Sequence, residues 1–436
     1  MPSKIQVVKA YIQTKYRKKW RSRTELESWQ EKQLRKHFAF LRRHSPYFKE
    51  RLKATGYSLH DLRQIPLMDK KVMMEHFDEM NTAGIIREAA MNVALQAERT
   101  RDFQPMIGTI TVGMSSGTSG NRGIFLVSEE ERSEWAGTIL AKLLPGGLLH
   151  KERIAFFLRA NSNLYESVGS KQISFDFFDL MEELDQHIIR LNNIQPTIIV
   201  APSSMLRMLA DAKKNGELHI SPAKVISVAE VLDPNDKKYI EATFDQTVDQ
   251  VYQATEGFLA QTCSHGTLHL NEDIVIIEKD FIYESKSRFS PIITDFRRKT
   301  QPIIRYQLND ILTLKKSPCP CGSVMTALEQ IEGRCDDLFY FPREGKLVQV
   351  FPDYIRRAVI TASEEIEQYR VIQHSPEKVE VQLLTNEQEA VQGLVKQSMA
   401  EYLLKQKLEV PEIIFGPYQP QDRLQKLKRV EQRMGR

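Results

Sequence analysis

The sequence predicts an α/β protein: a large N-terminal domain of mixed sheets and helices followed by a small α+β domain. Three observations carry that prediction. Between residues 154 and 244, short apolar runs alternate with helical segments, as parallel strands and their crossover helices do. From about 262 to 315 the pattern becomes strand-rich, and after 340 a smaller set of strands and one long helical segment begins. The chain has 436 residues, 41% of them hydrophobic, which is material for more than one packed core.

The elements follow in order. Residues 24–53 read as helix, because Leu34, Phe38 and Leu41 recur at helical spacing and Pro46 sits where a break falls. A short helix at about 69–79 follows the Ile65-Pro66 boundary. Residues 108–127 read as strand, glycine loop, strand, with Ile110 and Val112 before the loop and Ile124 and Leu126 after it. Ser128 with Glu131 three residues on is a helix start. Then come strand Ile154–Leu158, a helix near 179–193, strand Thr197–Ala201, a helix near 203–214, strand Lys224–Val228 and a helix near 234–244. His269–Glu278 and Phe281–Glu284 read as paired strands. In the second domain, Tyr369–Gln373 and Val379–Leu384 read as strands and 386–407 as helix. The domains are expected as 1–335 and 336–436.

Composition excludes several classes. Charged residues are 27%, with 20 glycines and 19 prolines, so neither a disordered nor a fibrous chain is indicated. A formal charge of +4 does not call for nucleic acid. Four cysteines are too few for a disulfide framework in a chain this long. No apolar run reaches the ~18 residues of a membrane span, and no signal-peptide pattern opens the chain, so the expectation is a reduced, cytoplasmic, soluble protein. Charge is uneven, however: residues 1–43 hold thirteen Lys/Arg against three Glu, leaving the other 393 residues at −6. Lys15, Arg17, Lys18, Lys19, Arg21 and Arg23, with Trp20 among them, suit anionic lipid or RNA. The favoured reading is a solvated helical arm whose Tyr11, Ile12, Tyr16 and Trp20 dock on the body, because charge runs usually mark exposed faces.

Four segments carry candidate chemistry. Ser115-Ser116-Gly117-Thr118-Ser119-Gly120 sits between strand patterns; its glycines let backbone amides turn inward and its hydroxyls can donate to phosphate oxygens. It lacks the Gly-Lys-Ser/Thr ending of a Walker loop. Tyr252-Gln253-Ala254-Thr255-Glu256-Gly257 follows a strand pattern, at the strand end where open α/β sheets bind ligands. Glu256 suits Mg²⁺, which favours one or two carboxylates plus phosphate oxygens. Asp310, ending the stretch from Pro302, suits a ribose diol, and Arg334 in Gly333–Asp337 suits a phosphate or ribose oxygen. Each alone reads better as an ordinary turn or loop.

In this order the four resemble the core motifs of the adenylate-forming superfamily, nearest the phenylacetate–CoA ligase-like branch. Ser45–Phe48, Ile65–Leu67 with Lys70-Lys71, and Gln195–Ser203 resemble that branch too. The resemblance implies that Ser115–Gly120 holds the leaving pyrophosphate and that Ala229-Glu230 lines the adenine, with Tyr252 and Gln253 beside it. It further implies that Thr255 contacts the α-phosphate, Glu256 holds Mg²⁺, Asp310 binds the ribose, and Arg334 stands near it. Asp336 is then the hinge of a mobile C-terminal lid. Lys426, with Arg429, resembles the terminal lysine motif that reaches the carboxylate and α-phosphate. ATP, Mg²⁺ and CoA follow as implied cofactors and co-substrates, with a small carboxylic acid as substrate and acyl-AMP as intermediate.

The chain departs from the family in three places. Asn121-Arg122 stands where the phosphate loop customarily continues with lysine, and Gln425 replaces the terminal motif's glycine. Pro342–Gln349 replaces a shorter Arg-Gly turn that helps form the thiol tunnel, so CoA as acceptor is less secure than adenylation. An adenylyl- or amide-forming ligase with a non-CoA acceptor is the second reading, and a non-catalytic nucleotide-binding or membrane-associated protein the third. Cys319-Pro320-Cys321, Cys263 and an imidazole form a tetrahedral zinc set. His269 is the fourth ligand that the resemblance implies and His265 the rival; Cys335 reads as packing. A homodimer and a peripheral membrane contact through the arm are carried as partner alternatives.

Overall fold

The computed structural model describes residues 4–17, 19–100, 104–114, 123–158, 170–282, 285–420 and 427–434. The chain forms two compact units. The first holds residues 1–308 and 314–329; the second holds 309–313 and 330–436.

In the first unit, the apolar runs become a parallel sheet in the order Ile173–Asp179, Glu152–Leu158, Ile198–Ala201, Lys224–Ser227, Val248–Ala254. Ile198–Ala201 is buried at every position, as a strand covered on both faces must be. Helices Leu184–Ile194, Ser203–Lys214 and Pro234–Phe244 pack on one face around Phe157, Phe178, Leu206 and Ile240. Tyr11, Ala136 and Leu140 cover the other face. The sheet continues antiparallel through Gly257–Thr262 and Leu268–Leu270. Ile110–Met114 and Ile124–Val127 pair antiparallel, so the two ends of the hydroxyl-rich loop lie side by side. Ser128 caps the helix Glu129–Leu143 in a full capping box with Glu131.

Several expectations change. The helix over 24–53 divides into Arg23–His44 and Pro46–Arg51, with Ser45 capping the second from its hydroxyl. The strand partner of Ile276–Phe281 is Arg288–Asp295 rather than 281–284. The chain turns at Ser285, whose hydroxyl accepts from the Ser287 and Arg288 amides at 3.2 and 2.9 Å. Helix Arg87–Thr100 and strand Ile173–Asp179 were not anticipated as such. In the arm, Tyr11 is buried and Trp20 stacks near Trp29 at 4.9 Å, but Ile12 and Tyr16 stay exposed, so only half of the expected docking occurs.

In the second unit, Asn309–Thr313 lies beside Gln330–Arg334. A hairpin, Phe339–Arg343 with Lys346–Val350, turns through Glu344 and Gly345, both at positive φ (51° and 75°). A four-stranded sheet runs in the order Glu412–Pro417, Lys378–Leu384, Gln368–Ser375, Val430–Gln432. Helices Pro352–Ile360 and Gln388–Lys405 complete its core.

Candidate functional site

Thr255 and Glu256 form the two-residue turn that joins Val248–Ala254 to Gly257–Thr262. Because Val248–Ala254 closes the parallel sheet, the turn projects from the carboxyl end of that sheet, where α/β proteins place ligands. Arg298 holds the turn: one guanidinium nitrogen donates to the Thr255 carbonyl at 3.3 Å and another to the Leu126 carbonyl at 3.4 Å. Gln301 grips the same strand, accepting from the Leu126 amide at 2.8 Å and donating to the Ile124 carbonyl at 3.1 Å. The strand leaving the hydroxyl-rich loop is therefore stitched to the Thr255-Glu256 turn, and Gly123, Thr255, Glu256 and Lys70 line one small cavity. Ser115, Ser116, Gly117, Thr118, Ser119 and Gly120 themselves lie outside the described residues.

Glu256 meets the hydroxyl of buried Tyr306. Burial first, then the Glu256 carboxylate and Asp69, push that phenol far above its ordinary range. The hydroxyl therefore stays protonated and donates to Glu256. Tyr306 is held by its strand, which also fixes the N-terminal segment: Met68 donates to the Arg305 carbonyl at 2.9 Å and accepts from the Gln307 amide at 2.8 Å. Arg305 adopts φ 47° and forks onto Glu278 at 2.8 and 3.1 Å. Its other arm reaches the Arg63 and Ile65 carbonyls. This places Asp69 and Lys70 beside the turn. Tyr306, Arg298 and Gln301 were not singled out from sequence; Tyr306 lay inside the quoted Pro302–Asp310 stretch, whereas the other two carry no local signal.

The remaining candidates are distributed as follows. Ala229 has φ 65°, and the Glu230 carboxylate accepts from the Ser204 amide at 3.0 Å and the Ser203 hydroxyl at 3.3 Å, occupying the N-terminus of that helix. Tyr252 is buried and Gln253 half-buried on the strand leading to Thr255. Asp310 and Arg334 belong to the second unit, where the Cys335 amide donates to the Asn309 carbonyl at 3.0 Å and brings their segments together. Asp336 lies in the short 3₁₀ turn Cys335–Asp337. Lys428 forms a 2.8 Å ion pair with Asp337, so the tail returns to that turn. Arg429 sits over the Tyr369 ring at 5.1 Å and is buried. Lys426 lies outside the described residues.

A second site is complete within the first unit. Cys263, His269, Cys319 and Cys321 gather with all donor atoms within 4.8 Å of one another. Zinc–sulfur bonds of about 2.3 Å at tetrahedral angles put two sulfurs about 3.8 Å apart, and a sulfur and a nitrogen about 3.5 Å apart. The Cys263 and Cys319 sulfurs are 3.7 Å apart, and Cys321 Sγ lies 3.4 Å from His269 Nε2. His269 Nδ1 faces the Met325 carbonyl at 3.1 Å, which leaves Nε2 for a metal. His265 contributes only its backbone amide, donating to Cys263 Sγ at 3.4 Å, so His269 is the imidazole that the fold brings in. A hydrogen bond from Thr267 draws the Cys319 thiol down to about 5, while burial pushes Cys321 up to about 11.

No protein-family model matches the chain, and no curated protein matches it. Solved structures do. A 2-hydroxyisobutyryl-CoA ligase in the postadenylation state, in complex with 2-HIB-AMP, superposes with a TM-score of 0.71 at 15% identity, over 94% of this chain and 90% of that one. ATP-bound MatB from Rhodopseudomonas palustris superposes at 0.51 and 14% identity, over 71% of this chain and 65% of that one. The amide bond synthetase McbA from Marinactinospora thermotolerans gives 0.50 and 14%, over 72% and 67%. The likeness establishes the fold, which this chain shares with these ligase and synthetase structures.

Proposed function

We propose, from the fold shared with acyl-CoA ligases, that this chain is an ATP-dependent acid ligase: it converts a small carboxylic acid to acyl-AMP, then passes the acyl group to an acceptor thiol, CoA first among the candidates. The observation that carries this reading is the Thr255-Glu256 turn at the sheet's carboxyl end, clamped by Arg298 to the strand that leaves the hydroxyl-rich loop.

In the first step a carboxylate oxygen attacks the α-phosphorus, the bond to the β-phosphate oxygen breaks, and pyrophosphate departs. Two anions must approach, so the chain's task is charge neutralisation and alignment. Thr255 takes the α-phosphate, Ser115–Gly120 the departing pyrophosphate, Asp310 the ribose hydroxyls with Arg334 near them, and Ala229, Glu230, Tyr252 and Gln253 the base. Lys426 brings a mobile positive charge on a long stem to the reacting oxygens. Glu256 would hold Mg²⁺, which when bound offsets phosphate charge; Tyr306 donates to that carboxylate and fixes its rotamer. In the second step the thiol sulfur attacks the acyl carbon, AMP leaves, and the thiol proton is released. Asp336 is the hinge for the 336–436 lid between the two steps. Cys263, His269, Cys319 and Cys321 would hold zinc in a closed, structural role, their spacing matching tetrahedral edges. A cytoplasmic location belongs to the same reading.

A non-CoA acceptor is the second reading, favoured by the Phe339–Val350 hairpin in place of the Arg-Gly turn expected by resemblance. Pyrophosphate release across a panel of carboxylic acids, with and without CoA, tests both. Acid-dependent release with CoA consumption supports the first, release without CoA use supports the second, and nucleotide binding without turnover on any acid sinks both.

A further inference from the structure

We infer that the N-terminal helix is an in-plane contact for anionic membrane surfaces. The helix Lys4–Ile12 has two apolar faces. Val7, Ala10 and Tyr11 pack on Glu129–Leu143 at close range: a Cβ on Gly137 would lie 2.2 Å from the Val7 carbonyl and 2.7 Å from the Ala10 Cβ, so only glycine admits the contact. That fixes how the helix is turned. At about 100° per residue, Ile5, Val8 and Ile12 then fall within roughly 60° of one another on a different face. They are 80%, 44% and 41% exposed. Lys4 and Lys9 project about 40° beyond the two edges of this stripe, and both are exposed. The chain continues with exposed Tyr16, Arg17, Lys19 and Arg21. The turn at Gly147, where a Cβ would lie 3.2 Å from the Tyr11 hydroxyl, exposes Leu149 and Lys151.

An apolar stripe edged by lysines, inside a segment of thirteen basic and three acidic residues, is the pattern of a helix lying in the headgroup region. The apolar side chains enter the interface while lysine stems reach up to lipid phosphates. A second copy of this chain fits less well, since a two-fold contact through this face sets one basic arm against another. RNA would use the lysines and leave Ile5, Val8 and Ile12 idle. Among the described residues no helix is long and apolar enough to cross a membrane, so the contact is peripheral.

The test is sedimentation of the full chain with vesicles of phosphatidylcholine containing about 30% phosphatidylserine, against pure phosphatidylcholine. The Ile5→Ser/Val8→Ser/Ile12→Ser triple variant keeps every charge and the packed face, and an unchanged melting temperature verifies its fold. We expect salt-sensitive binding to the anionic vesicles, weakened at least about tenfold by the triple variant, since each methylene kept from the bilayer is worth roughly a factor of four. Lys4→Glu/Lys9→Glu should weaken binding to the anionic vesicles too. Failure of the wild-type chain to sediment with anionic vesicles overturns the proposal, as does equal binding by the triple variant. Binding to polyuridylate without vesicle binding would assign the arm to RNA. A dimer that the triple variant dissociates, again without vesicle binding, would assign the stripe to self-association. None of these readouts depends on turnover.

Discussion

Glu256 offers one carboxylate to two partners, a protein hydroxyl and the cation proposed for it. Replacing it by alanine removes the anion but leaves the Arg298 clamp on the Thr255 carbonyl, so the turn should survive. Turnover is expected to fall at least about 100-fold with little change in melting temperature; wild-type turnover in Glu256→Ala would refute the assignment. A second residue sets a pH response. His37, on the helix Arg23–His44, is buried, and neither ring nitrogen finds a hydrogen-bond partner among the described residues. Burial, reinforced by Lys299, lowers it from the ordinary 6.5 to about 3. The unfolded chain therefore takes up a proton below pH 6.5 that the folded chain refuses. Stability is lost as pH falls from there toward 3, by about 2 kcal/mol at pH 5. All three tryptophans lie in the first unit, so their fluorescence reports its unfolding. In His37→Leu, the stability gap between pH 7.5 and pH 5 should shrink by about that amount; an unchanged gap would show that His37 is not the group responsible.

At the scale of elements, the cysteine turn and the basic arm meet on one residue. Buried Glu272 accepts from the Thr326 amide at 2.7 Å, just past the cysteine pair, and from Arg23 at 2.7 Å. Its carbonyl accepts from Gln30 at 2.7 Å. A metal that orders the turn thus also orders the root of the arm. Chelation, or Cys319→Ser, should cost a few kcal/mol, on the order of 5 °C in the first unit's melting temperature. Trypsin should then cut faster within residues 15–23, a stretch dense in lysine and arginine. Elemental analysis finding well under half an equivalent of zinc in freshly purified protein, or indifference to chelator in both readouts, would count against the site.

At the scale of the molecule, the second unit borrows five residues from upstream. Asn309–Thr313 carries the Thr313 hydroxyl that donates to buried Glu332, beside which Arg356 donates to the Glu332 carbonyl at 3.0 Å. A fragment of residues 330–436 would leave that carboxylate without the hydroxyl, a buried polar loss of about 1–3 kcal/mol. Its melting temperature should lie below that of the same sheet in the intact chain. Equal stability would mean that 309–313 contributes nothing to this unit.

Periodicity and local chemistry made much of the architecture legible. The strands at 154, 197 and 224, the helices at 203 and 234, the Ser128 cap and the two central strands of the second unit's sheet all announce themselves over a few residues, because strand burial and helix capping are short-range. The ordered motifs also pointed to Thr255 and Glu256, and the cysteine spacing to a metal set. Pairing beyond a turn was not legible: the strand at 276 found its partner at 288, past a serine turn. The choice of His269 over His265 came from the resemblance and not from spacing, since it depends on which ring faces the sulfurs across a hairpin. Arg298, Gln301 and Tyr306 reach the site from some 40 to 50 residues or more away in sequence. The sequence by itself determined most of the elements and the chemistry available to them. Only the tertiary structure decided which of those groups share a cavity and which apolar face of the first helix is left uncovered, because both depend on long-range packing that no local pattern encodes.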